Sequence, residues 1–141
     1  MSKDAGTDFQ AAFWATKRGL ALASAAAFSR HGVHEGQQYI LRCLWEEDGL
    51  TPGQLAHRLG LSTPTVTKAT GRMETAGLLC RIPHERDRRL VRLRLTDRGR
   101  ELEQVIGAEM AGLQERALSG LDASQREALL GFLRRIRQNL A

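Results

Sequence analysis

Residues 84–96 read HERDRRLVRLRLT and place five arginines in thirteen positions. A guanidinium is permanently charged and presents a planar fork of N–H donors that matches phosphate or carboxylate oxygens two at a time. Residues of this type at this density suit gripping a polyanion rather than breaking a bond. The pieces of covalent or acid–base catalysis are missing. The four histidines, His31, His34, His57 and His84, are scattered, and no Ser–His–Asp set, glycine-rich phosphate loop or Cys/His metal spacing appears. The chain therefore reads as a non-enzyme with no cofactor and no metal. His31, His34 and Glu35 form a weak metal-ligand set, and capping or solvation accounts for them better.

The placement of the charge sharpens this reading. Residues 81–100 hold eight arginines against Glu85, Asp87 and Asp97, an excess of five that equals the net charge of the whole 141-residue chain, +5. The remaining residues balance. A cationic patch on an otherwise neutral protein points to a polyanionic partner such as nucleic acid. A solvated loop would account for the first half of the run on its own. It would not account for the second half, where Val91, Leu93 and Leu95 alternate with Leu90, Arg92 and Arg94 as in a half-buried strand.

Something must hold that strand. Before it, Leu78–Pro83 reads as a partner strand, with 84–89 as the hairpin tip. Before that lie two short helices. Thr51 caps the first, with Pro52 at a position where its missing N–H costs nothing, and Gly60 ends it. Ser62 caps the second, and Gly77 closes it. Leu55, Ala56 and Leu59 face inward on one, and Val66, Ala69 and Met73 on the other. Two short helices across a tight Gly-Leu-Ser joint form a helix-turn-helix, and the hairpin that follows makes it a winged one. Flanking this unit are helices over about 8–30 and 35–46, a long helix capped by Thr96 or Asp97, and a last helix opened by the capping box Asp122/Gln125. The first and last are amphipathic with little of their own to pack against, so a partner subunit is expected to cover them.

Composition agrees with a globular chain: 42% hydrophobic and 26% charged residues, with no run of 18 apolar residues to span a membrane. The start MSKDAGTDFQAAF lacks a basic segment followed by an apolar core, so no secretory signal is read and a cytoplasmic location is expected. Cys43 and Cys80 lie in apolar surroundings and read as reduced core residues.

Taken in order, these residues resemble the multiple antibiotic resistance regulator (MarR) family of bacterial transcription factors. The likeness covers essentially the whole chain. It is strongest over Leu50–Gly99, where Gly77-Leu78-Leu79, Asp87-Arg88-Arg89, Leu95-Thr96 and Gly99 stand at the family's spacing. It implies a mainly α fold with a small β-hairpin (α+β), a winged helix-turn-helix with N- and C-terminal dimerisation helices. The expected divisions are 1–34 for the N-terminal dimerisation helix, 35–99 for the DNA-binding lobe and 100–141 for the C-terminal dimerisation helices. Within the lobe, the recognition helix spans about 62–76 and the wing about 79–95. The function implied is a sequence-specific double-stranded DNA-binding regulator, most often a repressor, acting as a homodimer on a pseudo-palindrome.

Residue by residue, the resemblance puts Ser62, Thr63, Pro64, Thr65, Thr67 and Lys68, with Arg72 further along, at the major groove. It makes Arg89 a minor-groove finger braced by Asp87. Arg86 and Arg88 become phosphate contacts. Arg92 and Arg94 reach either the flanking phosphates or acids within the fold. For Ser62 the capping role stands beside the DNA role, and for Thr65 and Thr67 simple solvent exposure is the alternative.

The family also responds to small aromatic or phenolic acids through a cleft between dimerising helices and lobe. Phe13, Trp14, Lys17, Arg18, Gln38, Tyr39 and Arg42 are placed to line one, and aromatics with cations suit an aromatic carboxylate. Core packing with exposed charges explains the same residues. The family's redox branch uses a cysteine near the N-terminal helix, which this chain lacks before Cys43. From another class of function, a winged helix used as a protein-interaction module would need a hydrophobic or acidic face where STPTVTK stands.

Overall fold

The computed structural model describes residues 8–141; residues 1–7 of the expected N-terminal dimerisation segment lie outside it. Six helices and one hairpin follow in the order α1 (Phe9–Phe28), α2 (Gln37–Glu46), α3 (Pro52–Leu59), α4 (Thr63–Thr75), β1 (Leu79–Pro83), β2 (Val91–Leu95), α5 (Asp97–Ala117) and α6 (Ala123–Leu140), with a 3-10 turn at Ser29–His31 after α1. This is the mainly α architecture with one antiparallel hairpin that the sequence implies.

Each boundary has a local cause. Asp8 caps α1 by accepting from Ala11 N, and Gly32 stops the following turn at φ 74°. The second helix begins at Gln37, two residues later than the pattern suggests, because Gly36 at φ 96° leaves the helical region. Thr51 and Gln54 form a full capping box at α3, an addition to the Thr51 cap read from the sequence. Gly60, at φ 65°, reverses the chain into α4, whose first N–H groups are met by Ser62. Thr96, not Asp97, caps α5 through Gly99 N.

The core belongs to the winged lobe. Leu41 and Leu44 of α2, Leu55 of α3, Val66 and Met73 of α4, Leu79 and Leu93 of the hairpin, and Leu102 and Ile106 of α5 are fully buried together. The strands pair from Leu79↔Leu95 to Pro83↔Val91. A third segment, Gly49–Leu50, joins their edge: Leu93 and Leu50 form a bridge, and Gly49 N donates to Leu93 O at 3.0 Å. The wing is thus stitched to the body of the lobe at its base.

Outside the lobe the packing changes. Helix α1 lies on α5, and Ala23 and Ala27 line a hollow of about 480 Å³ between them with Ala108 and Gly112. Yet α1 buries only Ser24 and Phe28 well, and α6 buries no residue at all. Phe9, Phe13, Trp14, Leu130, Phe132, Leu133 and Leu140 stay exposed. A hollow of about 690 Å³ separates Phe13 from the α6 face formed by Leu130, Leu133, Ile136 and Leu140. An apolar stripe of this extent left in water is the mark of an unfinished interface.

Candidate nucleic-acid interface

The site is built from α4 and the hairpin. Helix α4 turns Val66, Thr70 and Met73 into the core, which sends the other face outward. Thr63, Pro64, Thr65, Thr67, Lys68 and Arg72 are all exposed. Pro64, Lys68 and Arg72, four residues apart, share one stripe. Ser62 accepts from Thr65 N at 3.3 Å, and its hydroxyl meets the Thr65 hydroxyl at 2.7 Å. Both hydroxyls are therefore oriented by the cap itself. The helix presents a positive N-terminal end and short donors on a surface free of acids through its first turns.

The wing tip runs from His84 to Leu90, closed by His84 N donating to Leu90 O and by a turn from Asp87 O to Leu90 N. Asp87 organises it. Its Oδ1 accepts from Arg89 N at 3.0 Å and from Arg89 Nε at 3.1 Å, while Oδ2 accepts from Arg89 Nη2 at 3.0 Å. The two side chains meet fork to fork, with the Arg89 side chain 89% exposed and Asp87 31%. The Arg89 guanidinium, then its backbone N–H, holds the Asp87 carboxyl below its ordinary range. Asp87 in turn raises the guanidinium further above its own. The pair is a charged fork aimed outward from a rigid turn. Arg86 and Arg88 flank it, exposed.

Arg92, for which the sequence left two fates, is turned into the fold. Its Nε donates to Glu85 Oε2 at 2.7 Å, Nη2 to Glu85 Oε1 at 2.5 Å and Nη1 to Gly49 O at 2.9 Å. The hydrogen bonds from Arg92 bring the Glu85 carboxyl down to about 2. Arg94, on the same strand face, is exposed.

Two more ties were not read from the sequence. Arg81 of β1 reaches across to α4, donating from Nη2 to Thr67 O at 3.2 Å, while Glu74 accepts from Arg81 N at 3.1 Å. This locks the wing's first strand to the exposed helix. The available signal was an arginine on the same strand face as Leu79. Asp48 is the second: Oδ1 accepts from Leu95 N at 2.9 Å and from Gly49 N at 3.0 Å, and Oδ2 faces Arg100 at 3.3 Å. Nothing in its local sequence marks it.

The residues expected to line an effector cleft are spread over α1 and α2. Phe13 faces the α6 hollow, while Trp14, Lys17 and Arg18 lie exposed on α1. Gln38 is buried, accepting from Gly36 N at 2.7 Å and donating to Glu35. Tyr39 is exposed. Arg42 pairs with Glu46 and borders a hollow of about 460 Å³ with Trp45 and Met110. Among the described residues, no group of three His, Cys, Asp or Glu side chains could hold a metal ion. His31 instead meets Glu109 of α5 at 3.5 Å. Cys43 and Cys80 are free and half-buried, and burial pushes the Cys43 thiol up, away from the reactive thiolate.

Comparison with known proteins bears on the fold that carries these residues. Residues 34–91 match the model of the MarR family. HTH-type transcriptional regulator TtmR of Methylorubrum extorquens is 30% identical over 132 residues, spanning 92% of this chain and 65% of that protein. The uncharacterised HTH-type transcriptional regulator YybA of Bacillus subtilis is 25% identical over 123 residues, 87% of this chain and 82% of its own length. A MarR transcriptional regulator from Methanosarcina mazei superposes with a TM-score of 0.80 at 26% identity, covering 91% of this chain and 92% of that one. A Listeria monocytogenes protein solved with a 26mer DNA has the same fold, with a TM-score of 0.84 at 22% identity, over 95% and 89% of the two chains.

Proposed function

The chain belongs to the MarR family, and from that premise we propose that it regulates transcription by binding double-stranded DNA sequence-specifically as a homodimer. One observation carries the reading: the wing bears an exposed Asp87–Arg89 fork, and its first strand is packed against α4, whose outward face exposes Thr, Ser, Lys and Arg side chains. Helix α4 is suited to the major groove, where Thr63, Thr65, Thr67 and Lys68 offer hydroxyls, methyls and a charge to base edges and phosphates. Arg89 is suited to a narrow minor groove, whose negative potential attracts a guanidinium and reads shape more than base identity. Asp87 orders that guanidinium before contact, which lowers the cost of binding. Arg86 and Arg88 add phosphate contacts.

The uncovered apolar faces of α1 and α6 support a second copy of the chain as the partner. Two lobes related by a twofold axis would read a pseudo-palindrome with half-sites roughly 34–36 Å apart. Repression, released by a small aromatic acid bound between the dimerising helices and the lobe, is the finer proposal. Pocket residues spread over α1 and α2 would then be gathered only across the dimer.

Fluorescence anisotropy on duplexes taken from the upstream region of the protein's own gene tests this. A sequence-dependent affinity that falls steeply with salt is expected. Arg89→Ala should weaken binding while leaving the melting temperature near wild type. Affinity indifferent to sequence, or binding untouched by the substitution, refutes the proposal.

A further inference from the structure

The wing tip contains a half-buried histidine that the reading above does not use. His84 Nδ1 accepts from two backbone N–H groups, those of Arg86 and Asp87, each at 3.1 Å. These are the residues that begin the turn carrying the Asp87–Arg89 fork. A neutral imidazole has one N–H and one lone pair in its plane. Two donors converge on Nδ1, so Nδ1 holds the lone pair and Nε2 carries the hydrogen. Nε2 then faces Arg92 Nη2 at 3.1 Å, a group that can only donate. Arg92 tolerates that position because Glu85 and the Gly49 carbonyl hold its guanidinium.

We propose that His84 is a positioning residue for the wing: its neutral ring builds the turn that aims Asp87 and Arg89, and protonation of the ring releases the tip and weakens DNA binding. The proposal rests on the reading of the wing as a DNA contact. Histidine is the side chain whose charge ordinarily changes between about pH 5 and 8. The charged groups around the ring pull in opposite directions. Arg92 of β2 repels an imidazolium, while the Glu85 and Asp87 carboxylates of the tip attract one. Charge alone therefore leaves the tip's fate open, and hydrogen-bond polarity decides it. A protonated Nδ1 becomes a donor facing two donors, and both backbone N–H groups lose their acceptor whatever the local field.

Two variants separate the roles of the ring. The side-chain oxygen of His84→Asn can accept near the Nδ1 position and does not titrate. His84→Ala removes the acceptor. By anisotropy on one fixed duplex, wild-type affinity should fall about tenfold from pH 7.5 to 5.5 as the tip's two hydrogen bonds are lost. The asparagine variant should stay close to its own pH 7.5 affinity, and the alanine variant should be weak at both. An alanine variant that binds like wild type, or a wild type and asparagine variant that weaken in parallel on acidification, overturns the proposal. A readout without DNA keeps it distinct from the DNA reading. In the free protein, the amide signals of Arg86 and Asp87 should shift along the His84 titration. Amides that ignore it overturn the ring's role even if DNA binds, whereas a wild type that binds no duplex at any pH refutes the DNA reading instead.

Discussion

Replacing Gly99 with alanine tests how the wing's base is fitted to the long helix. Gly99 lies in the first turn of α5 and is buried. A Cβ there would stand 2.1 Å from the Leu78 carbonyl oxygen and 3.1 Å from Leu95 Cδ2; the first distance is about 1.3 Å short of ordinary contact. The obstacle is backbone on a strand entry, and it cannot swing away. The same Leu78 oxygen accepts from Thr96 N at 3.2 Å, and the Gly99 carbonyl accepts from Trp45 Nε1 at 2.9 Å, so moving either side breaks a neighbouring bond. Overpacking a tight site costs about 1–3 kcal/mol, and a backbone clash belongs at the upper end. Alanine returns about 1 kcal/mol in helix propensity over glycine. The net is a loss of about 2 kcal/mol, or a melting temperature lower by about 7 °C for a chain of this size. Thermal unfolding followed by circular dichroism, at one fixed protein concentration because the proposed dimer makes stability concentration-dependent, checks it. Propensity alone predicts the opposite sign. A variant that melts at or above wild type therefore refutes the reasoning.

Three further outcomes are expected. Thr51→Ala removes the cap of α3, which accepts from Gln54 N at 3.2 Å, and should cost about 1 kcal/mol, seen as a lower urea midpoint with an unchanged slope. Glu85 is held at about 2, below its ordinary 4.5, so its pairing contributes fully above 4.5 and is lost as pH falls toward 2. Carboxyl NMR should place its midpoint near 2 in wild type and back toward 4.5 in Arg92→Ala; a midpoint unmoved by that change contradicts the pairing. Leu133→Glu puts a charge on the exposed α6 stripe and should yield a monomer in analytical ultracentrifugation, while a variant that sediments like wild type would show that this face is not the dimer contact.

Much of the fold was written locally. Thr51, Ser62, Thr96 and Asp122 act on N–H groups within three residues of themselves, and Gly60 reverses the chain through its own φ. The 3.6-residue and two-residue periods likewise need no distant partner to be legible, so the helix-turn-helix and the hairpin could be read directly. The Asp87–Arg89 fork also closes inside one turn, although its pairing was implied by the family resemblance and not by spacing alone. The fates of the other arginines were decided elsewhere. Arg92 and Arg94 are alike in sequence, yet one folds onto Glu85 and Gly49 and the other faces out. Strand register, twist and the arrival of Gly49 at the sheet edge select between them. Arg81 finds Thr67 only because β1 packs against α4. Gly99 shows the same division. Its place in the motif was visible, but the reason only glycine fits is a carbonyl oxygen twenty-one residues earlier, brought within 2.1 Å of its missing Cβ by the packing of α5 on the hairpin. A long flexible side chain has many partners within reach along the chain, and a close backbone approach has no signature in it at all. Tertiary packing chooses among those partners and creates those approaches.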